Sequence, residues 1–319
     1  MGILLCLLSA ACFGAMAIFG KYAYAAGVDT STLLLVRFAV AAALLAAVLR
    51  VRRAPAPGPL TARLVLTALG LGAIGYALQA TLYFSALELM DASMLALVFY
   101  TYPLMVTLAA VLIGRERLTR GRALALAAAS CGTLLVLLGT GGVAFHPLGA
   151  ALAVGGAVTY TVYILVADTV VHRMPPVLLS ALVMGGAAVT LAGRAALTGG
   201  ADLSFGPAGW FWLACIAVVS TVVAMLAFFA GLRRTGPSTA AILSTFEPVV
   251  TAALATLLLG EILTPLQVAG GALVLGSIAV MQLRPVQAPC KTNAGAAAHR
   301  EVITPATTRM RSDDHPALR

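Results

Sequence analysis

The segment FSALELMDASMLALVFYTYPLMVTLAAVLIGRERLT, residues 84–119, aligns without a gap with FAGLRRTGPSTAAILSTFEPVVTAALATLLLGEILT, residues 229–264. The two segments lie 145 positions apart, and ten of their 36 pairs are identical. Chance matching of abundant Ala and Leu does not explain a shared register of Ser, Pro and Glu. The alignment therefore predicts an internal duplication that divides the chain into two related halves. The pairs that carry this register are Ser93 with Ser238, Pro103 with Pro248, and Glu116 with Glu261.

The chain as a whole is too apolar for a soluble domain. Of its 319 residues, 61% are hydrophobic and only 10% are charged, and the mean hydropathy is +1.02. The charges fall in short patches between apolar runs of about 20 residues, the length of a helix that crosses a bilayer. We expect an all-α integral membrane protein with about ten transmembrane helices. The predicted spans are 3–20, 32–49, 64–87, 92–113, 121–138, 148–167, 177–196, 208–232, 237–259 and 266–283.

Basic residues are distributed unevenly over the loops between these spans. With the N-terminus in the cytoplasm, the inner loops carry eleven arginines, and the outer loops carry only Lys21 and Arg194. This bias follows the positive-inside rule and predicts that both termini are cytoplasmic. It also accounts for the net charge of +9 without a nucleic-acid partner, because no basic face carries interleaved aromatic residues.

Five spans in each half is an odd number, so the second half must enter the membrane upside down. Glu116 lies in an arginine-rich inner loop, whereas its counterpart Glu261 lies in an outer loop without arginine. Inverted halves of this kind are typical of secondary transporters. We predict a first five-helix repeat over residues 1–143 and an inverted five-helix repeat over residues 144–284. The polar segment 285–319 is expected to be a disordered cytoplasmic tail.

One acidic residue falls in the middle of a predicted span. Glu247 lies ten residues after Pro237, which is about 15 Å into the membrane at 1.5 Å per residue. A charge in hydrocarbon is energetically costly, so an ionisable residue at this depth is a candidate for substrate binding or proton coupling. The alternative is a neutral carboxyl that only joins helices by hydrogen-bonding to Ser244, Thr245 or Thr251.

Two prolines occupy equivalent positions in the fourth helices of the two halves. Pro103 follows Tyr102 as Pro248 follows Glu247, and each proline removes a backbone hydrogen bond from its helix. Paired helix breaks indicate a binding site in inverted-repeat transporters, so both prolines are gating candidates. Tyr100 lies two positions from Tyr102, and on an unbroken helix their rings would point in different directions.

Aromatic and amide side chains supply a second group of candidates. Gln79 and Tyr83 share a helix face at a spacing of four, and Tyr160 and Tyr163 share one at a spacing of three. Tyrosine offers a ligand both an apolar ring and a hydroxyl. Together with Tyr102, these residues are predicted to line a substrate cavity or to couple transport. Helix packing or placement at the membrane interface is the alternative.

For three further charged residues, a structural role is the favoured interpretation. Arg37 lies about two turns inside the outer end of the second span, from where its side chain can reach outward or pair with an acid. Glu116 and Glu261 begin loops and are expected to cap the helices that follow, together with Thr119 and Thr264.

The chain resembles the drug/metabolite transporter superfamily, in its ten-helix EamA branch, over residues 1–283. The likeness rests on GRERLT at 114–119 and GEILT at 260–264, where the first motif carries an extra arginine after its glycine. It implies a transporter in the plasma membrane, the inner membrane of a bacterium, and leaves the cargo open. Supporting matches are Phe13-Gly14 with Lys21, Arg37-Phe38, and Gly270-Gly271 with Gly276.

These observations predict a secondary transporter that exports a small organic solute by alternating access, with proton coupling and a homodimer left open. One alternative is a membrane sensor or structural protein, for which an inverted repeat has no use. An intramembrane enzyme is the other. All four histidines lie in predicted loops or the tail, and the sequence has no P-loop, so we expect no catalytic residue, metal or cofactor.

Overall fold

The computed structural model describes residues 1–52, 60–87, 89, 95, 98–138, 146–197, 200–259 and 264–283. These residues form helices joined by short turns, and none of them lies in a strand. Eight helices are long and apolar enough to cross a membrane, and two shorter apolar helices cover Tyr102–Leu112 and Pro265–Ile278. The predicted all-helical architecture is confirmed for this part of the chain.

The helices are labelled α1 to α10 in chain order, and three of them consist of more than one piece. Both α3 and α8 contain a six-residue π-helical segment between two α-helical pieces, and α9 is interrupted by a turn. The bounds are α1 Gly2–Ala25, α2 Thr30–Arg52, α3 Ala62–Gly70, Leu71–Tyr76 (π) and Ala77–Leu87, α4 Tyr102–Leu112, α5 Arg120–Leu138, α6 Pro147–Val171, α7 Pro176–Leu197, α8 Pro207–Ala217, Val218–Val223 (π) and Ala224–Thr235, α9 Pro237–Ser244 and Glu247–Leu259, and α10 Pro265–Leu283.

Short sequence signals set many of the helix boundaries. Each helix from α6 to α10 begins at a proline, which suits the first turn because the missing N–H would have no partner within the helix. Before α2, the Asp29 carboxylate accepts a hydrogen bond from the backbone N–H of Thr32 at 2.9 Å. After α8, Gly236 has φ of +80°, a conformation that is open to glycine and strained for other residues.

The two halves interlock. α1 packs against α8 and α9, and α6 packs in the same way against α3 and α4. α2 contacts its counterpart α7, and α5 contacts its counterpart α10. Exchanging each helix for the one five places along leaves this pattern unchanged, as expected after a duplication. The predicted boundary between residues 143 and 144 and the predicted tail 285–319 lie outside the described residues.

Helix ends of the two halves meet at both ends of the bundle. At one end, the start of α1 contacts the end of α8, and the start of α3 and the end of α6 line a common groove. At the other end, the start of α2 lies beside the end of α7, and Tyr22 near the end of α1 stacks on Trp212 near the start of α8. Described arginines concentrate at the first of these ends, in agreement with the bias seen in the sequence.

Glycines allow two close helix contacts. A Cβ on Gly72 would lie 1.9 Å from the backbone oxygen of Val183, and one on Gly186 would lie 2.3 Å from that of Leu69. α3 and α7 therefore touch backbone to backbone. Gly132 and Gly270 join α5 to α10 in the same reciprocal way, because a Cβ on either would lie within 2.6 Å of the other's oxygen.

Candidate functional site

α9 is interrupted halfway along, directly before its proline. A turn at Thr245 and Phe246 separates the two pieces, and the second piece begins at Glu247, one residue before Pro248. The proline has no N–H to continue the helix, and the preceding residues close the turn with bonds three residues back, such as that from Thr245 N to Ile242 O at 3.1 Å. Glu247 is thereby placed in the first turn of a helix, where the helix dipole favours negative charge.

The first half repeats this geometry at the position 145 residues earlier. The chain turns at Tyr100 and Thr101, and α4 begins at Tyr102, one residue before Pro103. The two proline breaks therefore correspond residue for residue. They differ in the side chain at the start of the new helix, which is a phenol in α4 and a carboxyl in α9.

The carboxyl of Glu247 lies deep in the protein among polar aromatic side chains. It forms a side-chain hydrogen bond with Tyr100 and interacts electrostatically with the guanidinium of Arg37. The residue as a whole keeps part of its surface accessible. Five tyrosine hydroxyls from α3, α6 and the residues around the α4 break interact electrostatically with this carboxyl, those of Tyr76, Tyr83, Tyr100, Tyr102 and Tyr160.

Ring contacts join these tyrosines into one cluster. The ring centroid of Tyr160 lies 4.8 Å from that of Tyr102, 5.8 Å from that of Tyr163 and 5.7 Å from that of Phe99. Tyr163 in turn stacks on Tyr76 at 5.5 Å. The candidates Tyr102, Tyr160 and Tyr163, which come from both halves of the chain, thus lie side by side.

The other aromatic and amide candidates lie along α3 and the α4 break. Tyr83 contacts Phe99 edge to face at 5.2 Å, and Gln79 is buried one turn away from it. The expectation that Tyr100 and Tyr102 point apart is wrong, because their centroids are 5.9 Å apart. That expectation assumed an unbroken helix, whereas the turn at Tyr100 brings the two rings together.

Arg37 does not reach outward as the sequence suggested. Only 3% of it is exposed, and its side chain points into the bundle. Its Nε donates to the Thr221 hydroxyl at 2.8 Å, and its Nη2 donates to the Tyr76 hydroxyl at 3.1 Å. The guanidinium also lies 5.0 Å from the ring centre of Phe38. Arg37 therefore points inward, where two buried hydroxyls accept hydrogen bonds from it.

The hydroxyls that were predicted to hydrogen-bond Glu247, if its role is purely structural, have other partners. Ser244 and Thr245 donate to backbone oxygens of their own helical turn, at 3.0 and 2.6 Å. Thr251 donates to the backbone oxygen of Gly14 at 3.0 Å. These three bonds are directed to the backbone, and Ser244 also bonds the side chain of Tyr102. The bond that joins Glu247 to the other half of the chain is the one with Tyr100.

Glu116 lies at a junction between the two halves. It accepts a hydrogen bond from Arg122 at 2.9 Å, with both side chains about 90% buried, and a carboxylate oxygen would lie 2.8 Å from a Cβ on Gly236, at the start of α9. Thr119 caps the following helix by accepting from the backbone N–H of Arg122 at 3.3 Å. Glu261 lies outside the described residues.

Two residues that contact the candidate site, Tyr76 and Thr221, were not identified from the sequence. Tyr76 lies three residues before Gln79 and seven before Tyr83, so helical spacing could have added it to that face. Thr221 carries no comparable signal, because its contact with Arg37 spans 184 residues.

Comparison with known proteins assigns this arrangement to a family. The model of the EamA-like transporter family matches residues 1–138 and again residues 147–283. The chain belongs to the EamA-like transporter family. A relative in this comparison is "Uncharacterized transporter YcbK" of Bacillus subtilis (strain 168), 27% identical over 276 residues that cover 84% of this chain and 88% of the relative. A crystal structure with 19% identity has the same fold, with a TM-score of 0.74 over 88% of this chain and 97% of that chain.

Membership of the EamA family makes the protein a multi-pass membrane transporter of small solutes, in a family whose members are generally not enzymes. The family model matches once in each half, in agreement with the duplication predicted from residues 84–119 and 229–264. The resemblance drawn from the motif at 114–119 is therefore confirmed.

Proposed function

We propose that this EamA protein is a secondary transporter that exports a small organic solute by alternating access, with Glu247 as the proton-coupling residue. It would cross the inner membrane of a bacterium with ten helices, as two inverted halves over residues 1–143 and 144–284, with both termini in the cytoplasm. The meeting of helix ends from both halves, with arginines concentrated at one end, supports this topology.

One observation carries the proposal: a carboxyl deep in the protein stands at a break in the middle of a membrane helix and faces tyrosines of both halves. The rings can hold the flat or apolar part of a solute, and their hydroxyls can bond its polar groups. Glu247 begins a piece of α9, and most of the tyrosines belong to the first half. Any rocking of one half against the other therefore changes the surroundings of this carboxyl.

Proton coupling follows from the energetics of a carboxyl in this place. An unpaired carboxylate away from water is costly by several kcal/mol, whereas the neutral acid is tolerated. Uptake of a proton from one side and its release to the other would then accompany the change in access. Transport in the opposite direction to the proton gives export.

The test begins with the cargo. Metabolites retained and secreted by cells with and without the gene identify candidate solutes, which are then assayed with purified protein in liposomes. Glu247→Gln keeps the size and hydrogen bonding of the side chain but fixes it neutral. We expect normal expression and retained solute binding, with loss of the response to a pH gradient.

Asp168→Asn is the matched control, because Asp168 is an acid near the end of α6 that lies beside Arg115 and His172 and has no contact with the tyrosine cluster in the described residues. It should keep the pH response. Wild-type rate and wild-type pH response in Glu247→Gln would refute proton coupling and leave Gln79 and the tyrosines as the remaining site candidates.

A further inference from the structure

Arg37 connects the two π-helical segments of the structure. Tyr76, which accepts from its Nη2, is the last residue of the π segment in α3. Thr221, which accepts from its Nε, lies in the π segment of α8. α3 and α8 are counterparts in the two halves, so a single side chain of α2 bridges the same irregularity in both.

The π segments are places where helical hydrogen bonding can change register. A π turn accommodates one residue more than an α turn and often occurs at functional sites. The segment in α8 shows the wider spacing in its backbone, since the N–H of Ala224 donates to the oxygen of Val219, five residues earlier. The Thr221 hydroxyl also donates to the backbone oxygen of Ile216 at 2.9 Å. In α3, the segment packs on the backbone of α7 through Gly72 and ends at the tyrosine that Arg37 holds.

The charge of Arg37 is balanced at a distance. Its hydrogen-bond partners are neutral hydroxyls, and no described carboxylate lies within ion-pair distance of it. The described acid with which it interacts electrostatically is Glu247. A buried cation is stable only with a compensating charge. Neutralisation of Glu247, by a proton or by a positive group of the cargo, therefore removes the charge that stabilises Arg37 in this position.

We propose that Arg37 is a positioning residue that transmits the charge state of Glu247 to the π segments of α3 and α8. With Glu247 charged, the bridge from Tyr76 to Thr221 holds both segments in the arrangement seen here. With Glu247 neutral, the bridge loosens and both segments are free to move. The proposal rests on the transport role of Glu247. The groups that face this pair are Tyr76 and Tyr83 of α3, Tyr100 and Tyr102 at the α4 break, Tyr160 of α6 and Thr221 of α8.

Hydrogen–deuterium exchange of the full-length protein in lipid nanodiscs tests this without knowledge of the cargo. The observable is backbone exchange in peptides that cover Leu71–Tyr76 and Val218–Val223, corrected for the intrinsic effect of pH. Thr221→Val and Tyr76→Phe each remove one acceptor and preserve shape. A hydrogen bond to a charged group contributes enough that its loss should raise exchange roughly tenfold.

The expected pattern is reciprocal. Thr221→Val raises exchange in the α3 segment as well as in its own, and Tyr76→Phe does the same in reverse. In the wild type, exchange in both segments rises together as the pH is lowered. In Glu247→Gln it is high at every pH. Matched controls are Thr159→Val and Thr161→Val, whose hydroxyls donate to backbone oxygens of their own helix at 2.7 and 2.8 Å; neither should raise exchange in the α8 and α3 segments together.

Several results would overturn the proposal. A change confined to the segment that carries the substitution would show that Arg37 does not connect the two segments. Equal effects of the controls would make the response unspecific. If Thr221→Val does not fold, Tyr76→Phe decides alone. If Glu247→Gln abolishes the pH response of transport while exchange in the π segments stays unchanged, this inference fails and the proposed function stands.

Discussion

The contact between α3 and α7 predicts a large difference between neighbouring glycines. A Cβ on Gly186 would lie 2.3 Å from the backbone oxygen of Leu69, against 3.4 Å for an ordinary contact, so Gly186→Ala must push the helices about 1 Å apart. Overpacking of this kind destabilises by about 1–3 kcal/mol. Gly72→Ala is more severe, because its Cβ would lie 1.9 Å from the oxygen of Val183. Neither obstacle can be relieved by a side-chain rotation.

The matched controls are Gly185→Ala and Gly70→Ala, since a Cβ at either position would meet nothing within 4 Å. Both should be neutral or should stabilise by about 0.5–1 kcal/mol, the gain of alanine over glycine within a helix. The assay is the temperature at which purified protein in detergent loses its monodisperse size-exclusion peak. We expect a decrease for Gly72→Ala and Gly186→Ala and no decrease for the controls. Equal behaviour of Gly185→Ala and Gly186→Ala would refute the proposed backbone contact.

The remaining predictions concern the helix break, the junction between the halves and the topology. Pro248→Ala restores a backbone donor and should slow transport while yield and thermal stability persist; parallel loss of stability and activity would make the proline structural. Glu116→Gln removes the charge that pairs with Arg122 and should lower stability by about 1–3 kcal/mol, whereas the exposed Arg117→Gln should not. A reporter fused after Arg284 should remain cytoplasmic. Reporter activity on the outer side of the membrane would contradict the inverted repeat.

The sequence was most informative where local chemistry decides the structure. Apolar length located the helices, proline located the breaks, and the spacing of 145 residues between Pro103 and Pro248 related the two halves. Glu247 stood out because a carboxyl in an apolar span is rare. These features depend on residues close in sequence. The described helices overlap the predicted spans, although the fourth, predicted over 92–113, is described as a helix over Tyr102–Leu112.

Features created by packing between the halves could not be predicted in this way. The π segments at Leu71–Tyr76 and Val218–Val223 share no sequence motif. The sequence left open whether Arg37 reaches outward or pairs inside the protein, because its acceptors, Tyr76 and Thr221, are 39 and 184 residues away. Sequence position alone gives no means of knowing that α3 and α8 present hydroxyls to the same point.

The two halves share the backbone break in their fourth helices but differ in the side chain that starts the new helix. Both fourth helices break before a proline, but the first carries Tyr102 at the break and the second carries Glu247. A symmetric pair of carboxylates would repel one another in a shared cavity and would both need a proton or a counter-charge. With a tyrosine at the first break, Glu247 is the carboxyl that the described structure places between the halves, and Arg37 is a buried cation that interacts with it. A single group can be exposed to one side at a time, which is the condition that coupling by alternating access requires.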